Sequence, residues 1–191
     1  GIGGIGMSAL AQLLKDSGWQ VSGSDREESP TTELLERKGI LVTIGQKTEN
    51  VPRDATLVIY TEAAWEDNPE RMRAKELGLP QSSYFEALGD VSAGKRTVAV
   101  AGTHGKTTTT AMTARILKDA GASPSAVVGS IVQDFGSNYL GGDSDILVVE
   151  ACEYKRDFLT LSPEILVVTN IEFDHTDYYK DLVDVQRAFR T

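Results

Sequence analysis

A short segment near the middle of the chain, rich in glycine and threonine, restricts the fold more than any other feature. Residues 102–108 read GTHGKTT, follow an apolar run, and precede a stretch with helical periodicity. A strand, a glycine loop and a helix in this order form a concave anion site, because successive backbone N–H groups point into the loop. We predict that it binds a nucleoside triphosphate with a metal ion, through Gly102, Thr103, His104, Gly105, Lys106, Thr107 and Thr108.

The glycine spacing of this segment departs from the common phosphate-binding pattern. In G-x-x-x-x-G-K-[ST] a glycine stands five positions before the second glycine, and here that position is Val100. The glycine instead stands three positions before Gly105, at Gly102. We therefore expect a tighter variant of the phosphate loop.

Strand-like and helix-like segments alternate along the chain. Apolar, β-branched runs such as residues 56–60 and 146–150 are separated by segments with helical periodicity. This pattern predicts an α/β fold with parallel sheets, in which ligands bind at the carboxyl ends of the strands. The small, polar stretch 91–96 (VSAGKR) is the candidate linker, so we expect a Rossmann-like domain at residues 1–93 and a phosphate-loop domain at 94–191.

A second glycine motif opens the chain. Gly1, Gly3 and Gly6 form G-x-G-x-x-G, and Asp25 follows Gly6 by 19 residues. In dinucleotide-binding folds such glycines let the backbone approach a pyrophosphate, and the acidic residue meets a ribose hydroxyl. A nicotinamide dinucleotide and a glycine-rich turn without a ligand stay open as alternatives, although no residue in this half suggests hydride transfer.

Acidic residues and one of the two histidines follow two further predicted strands. Glu150 ends one of these strands, where a carboxylate beside the phosphate loop can hold Mg²⁺ or can cap the next segment. Glu153 has the same two interpretations. His175 lies in the acidic segment EFDHTD (172–177), and we expect it either to contact a metal or phosphate or to be structural.

The composition excludes several classes of protein. The formal net charge is −9 and the pI about 4.7, so the chain lacks the basic character of a general nucleic-acid-binding protein. No apolar run approaches the roughly 20 residues that span a bilayer, so we expect no membrane insertion. Cys152 is the only cysteine, which rules out an internal disulfide and fits a reducing compartment such as the cytoplasm.

Four segments together resemble the Mur ligase family of peptidoglycan synthesis. GTHGKTTTT (102–110) is similar to the family's shortened ATP loop, and EACEY (150–154) to its acidic Mg²⁺ motif. TNIEFDHTDYY (169–179) is similar to its N-x-E-x-D-H-x-D segment. GIGGIGMSALA (1–11), with VSGSD (21–25), resembles the branch of the family that uses L-alanine.

The resemblance implies an ATP-dependent ligase that joins L-alanine to UDP-N-acetylmuramate through an acyl phosphate, with ATP and Mg²⁺ as cofactors. It assigns Lys106 to the β- and γ-phosphates. It assigns Thr107 and Glu150 to one Mg²⁺, and His175 to a second. It places the following residues at the UDP-sugar: Gly3, Gly4, Ile5, Gly6, Ser24, Asp25 and Asn138.

The ends of the chain, Cys152 and Gln46 depart from the pattern of the Mur ligase family. The chain starts inside a glycine motif and stops after a helix-like stretch, so we expect an incomplete central domain and no amino-acid-binding third domain. Cys152 stands where the family often has aspartate, which puts a metal role there in doubt. Gln46 stands where the family commonly has histidine, so we expect a changed contact on the uridine side. The alternatives are a ligase that recycles a tripeptide onto the same UDP-sugar, and a nucleotide-binding module without catalysis.

Overall fold

The computed structural model describes every residue of the chain and divides it into two compact units, residues 1–87 and 88–191. The division falls inside one helix, Tyr84–Ala93. The stretch 91–96, expected to be a linker, instead contains the last turn of this helix, a two-residue turn at Gly94–Lys95 and the first residue of the next strand. Small residues suit a closely packed helix end as well as a linker, and Ser92 is completely buried.

The first unit contains two small parallel sheets with helices between the strands. Its elements, the last of which continues into the second unit, are α1 (Ile5–Asp16), β1 (Ser22–Asp25), α2 (Pro30–Arg37), β2 (Leu41–Ile44), a 3₁₀ turn (Thr48–Asn50), β3 (Val58–Tyr60), α3 (Pro69–Glu76), β4 (Gln81–Ser83) and α4 (Tyr84–Ala93). β1 pairs with β2 and β3 pairs with β4, and both pairs are parallel.

Side chains that cap helices explain where α2 and α3 begin. Ser29 and Thr32 form a reciprocal capping box, with Pro30 at the first helical position. The side chain of Asn68 accepts the N–H groups of Glu70 and Arg71 at the start of α3. The second cap fixes the first turn of α3, which carries Glu70.

The second unit is one five-stranded sheet with helices and 3₁₀ segments between its strands. Its remaining elements are β5 (Arg96–Ala101), α5 (Lys106–Asp119), β6 (Ser125–Val132), a 3₁₀ turn (Gln133–Phe135), β7 (Ser137–Leu140), β8 (Ile146–Glu150), a 3₁₀ segment (Tyr154–Thr160), β9 (Ile165–Val168) and α6 (Leu182–Ala188). The strand order is β7-β6-β8-β5-β9, and only β7 runs antiparallel to its neighbour. The predicted α/β fold with parallel sheets is therefore confirmed.

The order of the strands places the candidate residues together. β5 lies between β8 and β9, and all three are parallel, so their carboxyl ends meet at one edge. The glycine loop follows β5, Glu150 ends β8, and residues 169–179 follow β9. Motifs that are far apart in sequence therefore come to the same edge of one sheet.

Each unit has a buried apolar core, although most of the apolar side chains of β9 are exposed. One core groups Leu35 and Ile40 of the first unit, and another groups Ala114, Val128 and Val148 of the second. The central strands of the second unit read as almost uninterrupted apolar runs because helices and loops cover both faces of a parallel sheet. No helix in the structure is long and apolar enough to cross a membrane.

Candidate functional site

The loop between β5 and α5 has backbone angles that favour glycine. Gly102 has φ of +128°, and a Cβ atom there would collide with the hydroxyl of Thr169. Gly105 has φ of +79° and is the N-cap residue of α5. Because the first N–H groups of a helix have no partner within it and carry partial positive charge, the start of α5 offers donors to an anion beside β5.

Two residues directly after β9, Thr169 and Asn170, form hydrogen bonds with this loop. The backbone oxygen of Asn170 accepts the N–H of Thr103, and its side-chain oxygen accepts the N–H of His104, both at 3.0 Å. The hydroxyl of Thr169 donates to the carbonyl of His104 at 2.6 Å. Sequence reasoning assigned no role to Thr169 or Asn170, because their partners lie 65 to 67 positions away (170 − 103 = 67).

The ammonium of Lys106 folds back over the loop. It donates to the carbonyl oxygens of Gly102 at 2.6 Å and of Thr103 at 3.2 Å. It also lies 2.8 Å and 3.1 Å from the two carboxylate oxygens of Glu153. An ammonium has only three N–H donors, so a phosphate that binds Lys106 has to replace at least one of these partners.

The carboxylate of Glu150, at the end of β8, lies beside the first turn of α5. It accepts the hydroxyl of Thr107 at 2.9 Å and the backbone N–H of Gly129, in β6, at 2.7 Å. A Cβ atom at position 129 would come within 2.8 Å of that carboxylate. Gly129 therefore donates a hydrogen bond to Glu150, and its lack of a side chain leaves room for the Glu150 carboxylate. The sequence did not indicate this role of Gly129.

Thr107 and Glu150 form a donor set that suits Mg²⁺. This ion prefers oxygen ligands in an octahedral arrangement, and proteins usually supply one or two of them while phosphates and water supply the rest. The structure contains no group of three or more His, Cys, Asp or Glu side chains placed to hold a metal ion. Thr107 and Glu150 supply two oxygen atoms, which suits a Mg²⁺ ion that takes its other ligands from phosphate and water.

His175 is connected to the phosphate loop by Glu153, which contacts both His175 and Lys106. Its Nε2 lies 3.2 Å from Oε1 of Glu153, whose side chain is 2% exposed. His175 has φ of +51°, and its carbonyl accepts the N–H groups of Tyr178 and Tyr179. The hydroxyl of Tyr179 donates to the backbone oxygen of Glu153 at 2.5 Å, and burial raises the pKa of Tyr179 to about 12, so the donor keeps its proton.

The other histidine lies outside this group. The Nε2 atom of His104 is 3.7 Å from a carboxylate oxygen of Glu172, and their side chains are 65% and 64% exposed. His104 takes part in the loop through its backbone N–H and carbonyl groups rather than through its ring.

An exposed tyrosine–aspartate pair borders His175. The hydroxyl of Tyr154 donates to the carboxylate of Asp177 at 2.6 Å, and the rings of Tyr154 and His175 have centroids 4.8 Å apart. This hydrogen bond lowers the pKa of Asp177 and raises the pKa of Tyr154.

In the first unit, the opening glycine motif contacts the acid at the end of β1. The N–H of Gly3 donates to the carboxylate of Asp25 at 2.7 Å, and a Cβ atom at position 3 would come within 2.8 Å of the same carboxylate oxygen. A Cβ atom on Gly6 would meet the ring of Tyr84 at 2.7 Å. The motif therefore packs closely against neighbours that were not evident from its spacing.

Ser24 belongs to a polar cluster that sequence reasoning missed. Its hydroxyl donates to one carboxylate oxygen of Glu70 at 2.7 Å, and the amide of Asn50 donates to the other at 2.6 Å. The side chain of Gln46 accepts the amide of Asn68 at 3.0 Å, so this position takes part in the hydrogen bonding next to the cap of α3.

Two remaining positions are more enclosed than the sequence suggested. Asn138 lies in β7 with 0% exposure, so direct contact with a ligand would require β7 to shift. Cys152 is half-buried between Glu150 and Glu153, and burial raises the pKa of its thiol. A neutral thiol is a poor ligand for Mg²⁺, in keeping with the doubt about a metal role at this position.

Two family models match the chain. The model of the Mur ligase family catalytic domain matches residues 1–96, and the model of the Mur ligase middle domain matches residues 100–191. The chain belongs to the Mur ligase family. Residues 97–99 separate the two matches. The segments 102–110, 150–154 and 169–179 fall within the second match.

Curated members of the Mur ligase family are similar over the whole chain. A UDP-N-acetylmuramate–L-alanine ligase from Clostridium kluyveri is 47% identical over 190 residues, which are 99% of this chain and 42% of that protein. A ligase with the same name from Caldicellulosiruptor saccharolyticus is 48% identical over 191 residues, or 100% of this chain and 42% of the relative. The chain thus spans about two fifths of the length of these relatives.

Solved Mur ligase structures share the fold. The UDP-N-acetylmuramate–alanine ligase of Thermotoga maritima matches with a TM-score of 0.90 at 38% identity, covering 100% of this chain and 45% of that one. A UDP-N-acetylmuramate:L-alanyl-γ-D-glutamyl-meso-diaminopimelate ligase from Neisseria matches with a TM-score of 0.85 at 31% identity, covering 99% of this chain and 64% of that one.

Proposed function

We propose that this chain forms the UDP-sugar-binding and ATP-binding domains of a cytoplasmic ligase that joins L-alanine to UDP-N-acetylmuramate. The observation that carries the proposal is the tight glycine loop with Lys106 on one side and the Thr107–Glu150 pair on the other. Relatives that bear the name of this activity, at 47% and 48% identity, support the choice of substrates. We propose further that an amino-acid-binding domain belongs to the part of those relatives that this chain does not span.

The proposed reaction has two steps. A carboxylate oxygen of the muramoyl group attacks the γ-phosphorus of ATP, the bond from that phosphorus to the bridging oxygen breaks, and ADP leaves. The amine of L-alanine then attacks the acyl carbon to form a tetrahedral intermediate, the bond from that carbon to the phosphate oxygen breaks, and the proton lost by the nitrogen leaves with the inorganic phosphate. No protein nucleophile takes part, so the residues of the site act through charge and position.

The residues of the loop reduce the repulsion between the reacting anions. Lys106 exchanges its loop carbonyl partners for oxygens of the β- and γ-phosphates, and the N–H groups at the start of α5 bind the same chain of phosphates. When bound, Mg²⁺ held by Thr107 and Glu150, with a second ion assigned to His175, supplies Lewis acidity at the transferred phosphoryl group. Thr169 and Asn170 hold the loop in the shape that these contacts require.

The first unit is proposed to hold the UDP-sugar. Gly3, Gly4, Ile5 and Gly6 are proposed to lie against the pyrophosphate at the start of α1, and Ser24 and Asp25 near the uridine. The hydrogen bonds from Ser24 to Glu70 and from Gly3 to Asp25 support these positions, because they gather polar groups at the carboxyl end of β1.

The tripeptide ligase remains the second candidate because one structural relative with that activity in its name matches 99% of the chain. The two ligases share the acyl phosphate and differ in the amine that attacks it. Replacing L-alanine by the tripeptide L-alanyl-γ-D-glutamyl-meso-diaminopimelate in an assay therefore distinguishes them. A nucleotide-binding module without catalysis would release no phosphate with either amine.

An isotope experiment tests the acyl phosphate directly. UDP-N-acetylmuramate labelled with ¹⁸O in its carboxylate is incubated with ATP, Mg²⁺, L-alanine and the full-length protein that contains this chain. We expect one ¹⁸O atom in each molecule of phosphate released, detected by ³¹P NMR, because the attacking oxygen leaves with the phosphoryl group. Unlabelled phosphate would contradict the proposal, since water would then be the nucleophile.

A further inference from the structure

Glu153 connects two residues of the proposed reaction and has no role in it so far. Its carboxylate lies between the ammonium of Lys106, at 2.8 Å, and Nε2 of His175, at 3.2 Å. We propose that Glu153 is a positioning residue, which holds the Lys106 ammonium at the phosphate loop and fixes the tautomer and orientation of the His175 ring. The catalytic consequence rests on the proposed function, whereas the effect on His175 does not.

A capping role does not explain Glu153. Glu153 stands at the N-cap position of the 3₁₀ segment Tyr154–Thr160, but its side chain makes no capping hydrogen bond there. Its carboxylate oxygens meet the charged end of Lys106 and the ring of His175 instead. A capping carboxylate would accept backbone N–H groups at the start of the helix.

The backbone of Glu153 is held so that the carboxylate keeps its place. Its carbonyl accepts the hydroxyl of Tyr179 at 2.5 Å and the N–H of Arg156 at 3.0 Å. Tyr179 is only 1% exposed, so the first of these bonds is shielded from water. Rigid support of this kind distinguishes a positioning group from a carboxylate that happens to meet a lysine.

The burial of Glu153 requires a compensating charge. A carboxylate with 2% exposure is costly to desolvate unless it is paired, and Lys106, with 15% exposure, is the cation beside it. Because the carbonyls of Gly102 and Thr103 are neutral, Glu153 is the only full negative charge that contacts the ammonium before a triphosphate arrives. Glu153 can therefore keep one N–H of Lys106 while the loop carbonyls give theirs up to phosphate.

The same carboxylate determines which nitrogen of His175 is available. A ring that donates its Nε2 proton to Glu153 has a lone pair on Nδ1 for a metal ion. Carboxylate–histidine pairs commonly fix the ring of a metal-binding histidine in this way, and their loss typically costs about 10- to 100-fold in affinity or activity. The backbone supports the arrangement, since His175 keeps an uncommon positive φ of +51° and its carbonyl accepts two N–H groups.

The first test is spectroscopic and needs no turnover. The chain has two histidines, so long-range ¹H–¹⁵N spectra resolve His175 and His104 after one substitution for assignment. We expect His175 to show the Nε2–H tautomer, and Glu153→Gln to move its ring nitrogens towards a mixture of tautomers without changing His104. The matched control is Glu164→Gln, because Glu164 pairs with Arg96 in the open at 53% exposure. Unchanged His175 signals in Glu153→Gln would overturn the proposal.

The second test separates positioning from binding in the full-length ligase. Glu153→Gln is expected to lower kcat about 10- to 100-fold and to raise the Mg²⁺ concentration at half-maximal rate, while KM for the UDP-sugar stays within about twofold. Wild-type kcat and Mg²⁺ dependence in a folded variant would overturn the catalytic part. If Glu153→Gln does not fold, Glu153→Asp carries the same readouts, because it keeps the charge but withdraws it by one methylene.

The two tests also distinguish the failure of this proposal from the failure of the proposed function. If the wild-type full-length protein ligates no amine, the ligase function is wrong, and the ring nitrogens of His175 still decide the role of Glu153. If the wild type ligates L-alanine and Glu153→Gln matches it in both tests, Glu153 is not a positioning residue.

Discussion

At the scale of single residues, the position of the Glu150 carboxylate depends on the absence of a side chain at Gly129. Glu150 occupies the space that a side chain at position 129 would take, and it accepts the N–H of the same residue at 2.7 Å. Gly129 does not have a positive φ, so alanine is acceptable to its backbone. The effect of a methyl group there should therefore fall on Glu150 rather than on the fold.

Gly129→Ala should weaken Mg²⁺ dependence far more than stability. The added Cβ displaces the Glu150 carboxylate from the hydroxyl of Thr107, and we expect the Mg²⁺ concentration at half-maximal rate to rise about tenfold. The melting temperature should fall by no more than about 2–4 °C, which corresponds to roughly 1 kcal/mol in a chain of this size. Gly94→Ala is the control, because a Cβ there meets no atom closer than 3.9 Å. Equal Mg²⁺ curves for the two variants would contradict this role of Gly129.

The Tyr154–Asp177 pair predicts a pH effect with a definite sign. The hydrogen bond lowers the pKa of Asp177 in the folded state, so its contribution is present above the unfolded pKa and is lost as the pH falls through the folded pKa. Tyr154→Phe should therefore raise the pKa of Asp177 towards the ordinary range of an aspartate, as followed by ¹³C NMR of the carboxyl group. Tyr178→Phe, which changes an exposed neighbouring ring, should leave that pKa where it is. An unchanged pKa in Tyr154→Phe would show that the bond is not formed in solution.

At the scale of elements, the phosphate loop is held by a second chain segment. The loop follows β5, and the residues directly after the neighbouring strand β9 accept two of its N–H groups and donate to one of its carbonyls. Parallel pairing of β5 with β9 brings these segments to one edge. The shape of the loop therefore depends on β9 as well as on its own glycines.

Asn170→Ala should loosen the loop without unfolding the unit. Loss of the side-chain bonds to the N–H and carbonyl of His104 removes two exposed hydrogen bonds, each worth at most about 0.5–1.5 kcal/mol. We expect faster hydrogen exchange at the amide of His104, with protection in β5 and β8 retained. Gln133→Ala, which removes an exposed amide in a distant turn, should not change that exchange rate. Unchanged exchange in Asn170→Ala would mean that the loop holds its own shape.

The sequence predicted those features of the fold and the site that depend on residues close together in the chain. The alternation of strands and helices predicted the α/β fold, and the strand–loop–helix context placed Gly102, Lys106 and Thr107 at a strand end, where the structure has them. Gly129 and Tyr179 could not be found in this way, because their role comes from contacts with Glu150 and Glu153 across 21 and 26 positions. The antiparallel β7 was also missed, since SNYL carries no alternation that marks an edge strand.

At the scale of the whole molecule, each unit gathers its polar groups at the carboxyl ends of parallel strands. In the first unit these groups include Gly3, Ser24 and Asp25, and in the second they include Lys106 and Glu150. The proposed function assigns the UDP-sugar to the first of these groups and ATP to the second. Strand order and loop chemistry, rather than a catalytic nucleophile, thus characterise the proposed ligase.

The most direct measurement is the release of ADP by the full-length protein that contains this chain. We predict release only when UDP-N-acetylmuramate and L-alanine are both present, and its loss in Lys106→Ala while binding of the UDP-sugar persists. Lys118→Ala, which removes an exposed lysine at the far end of α5, should keep the wild-type rate. Release that is as fast with the tripeptide and absent with alanine, or unchanged turnover in Lys106→Ala, would contradict the proposed function.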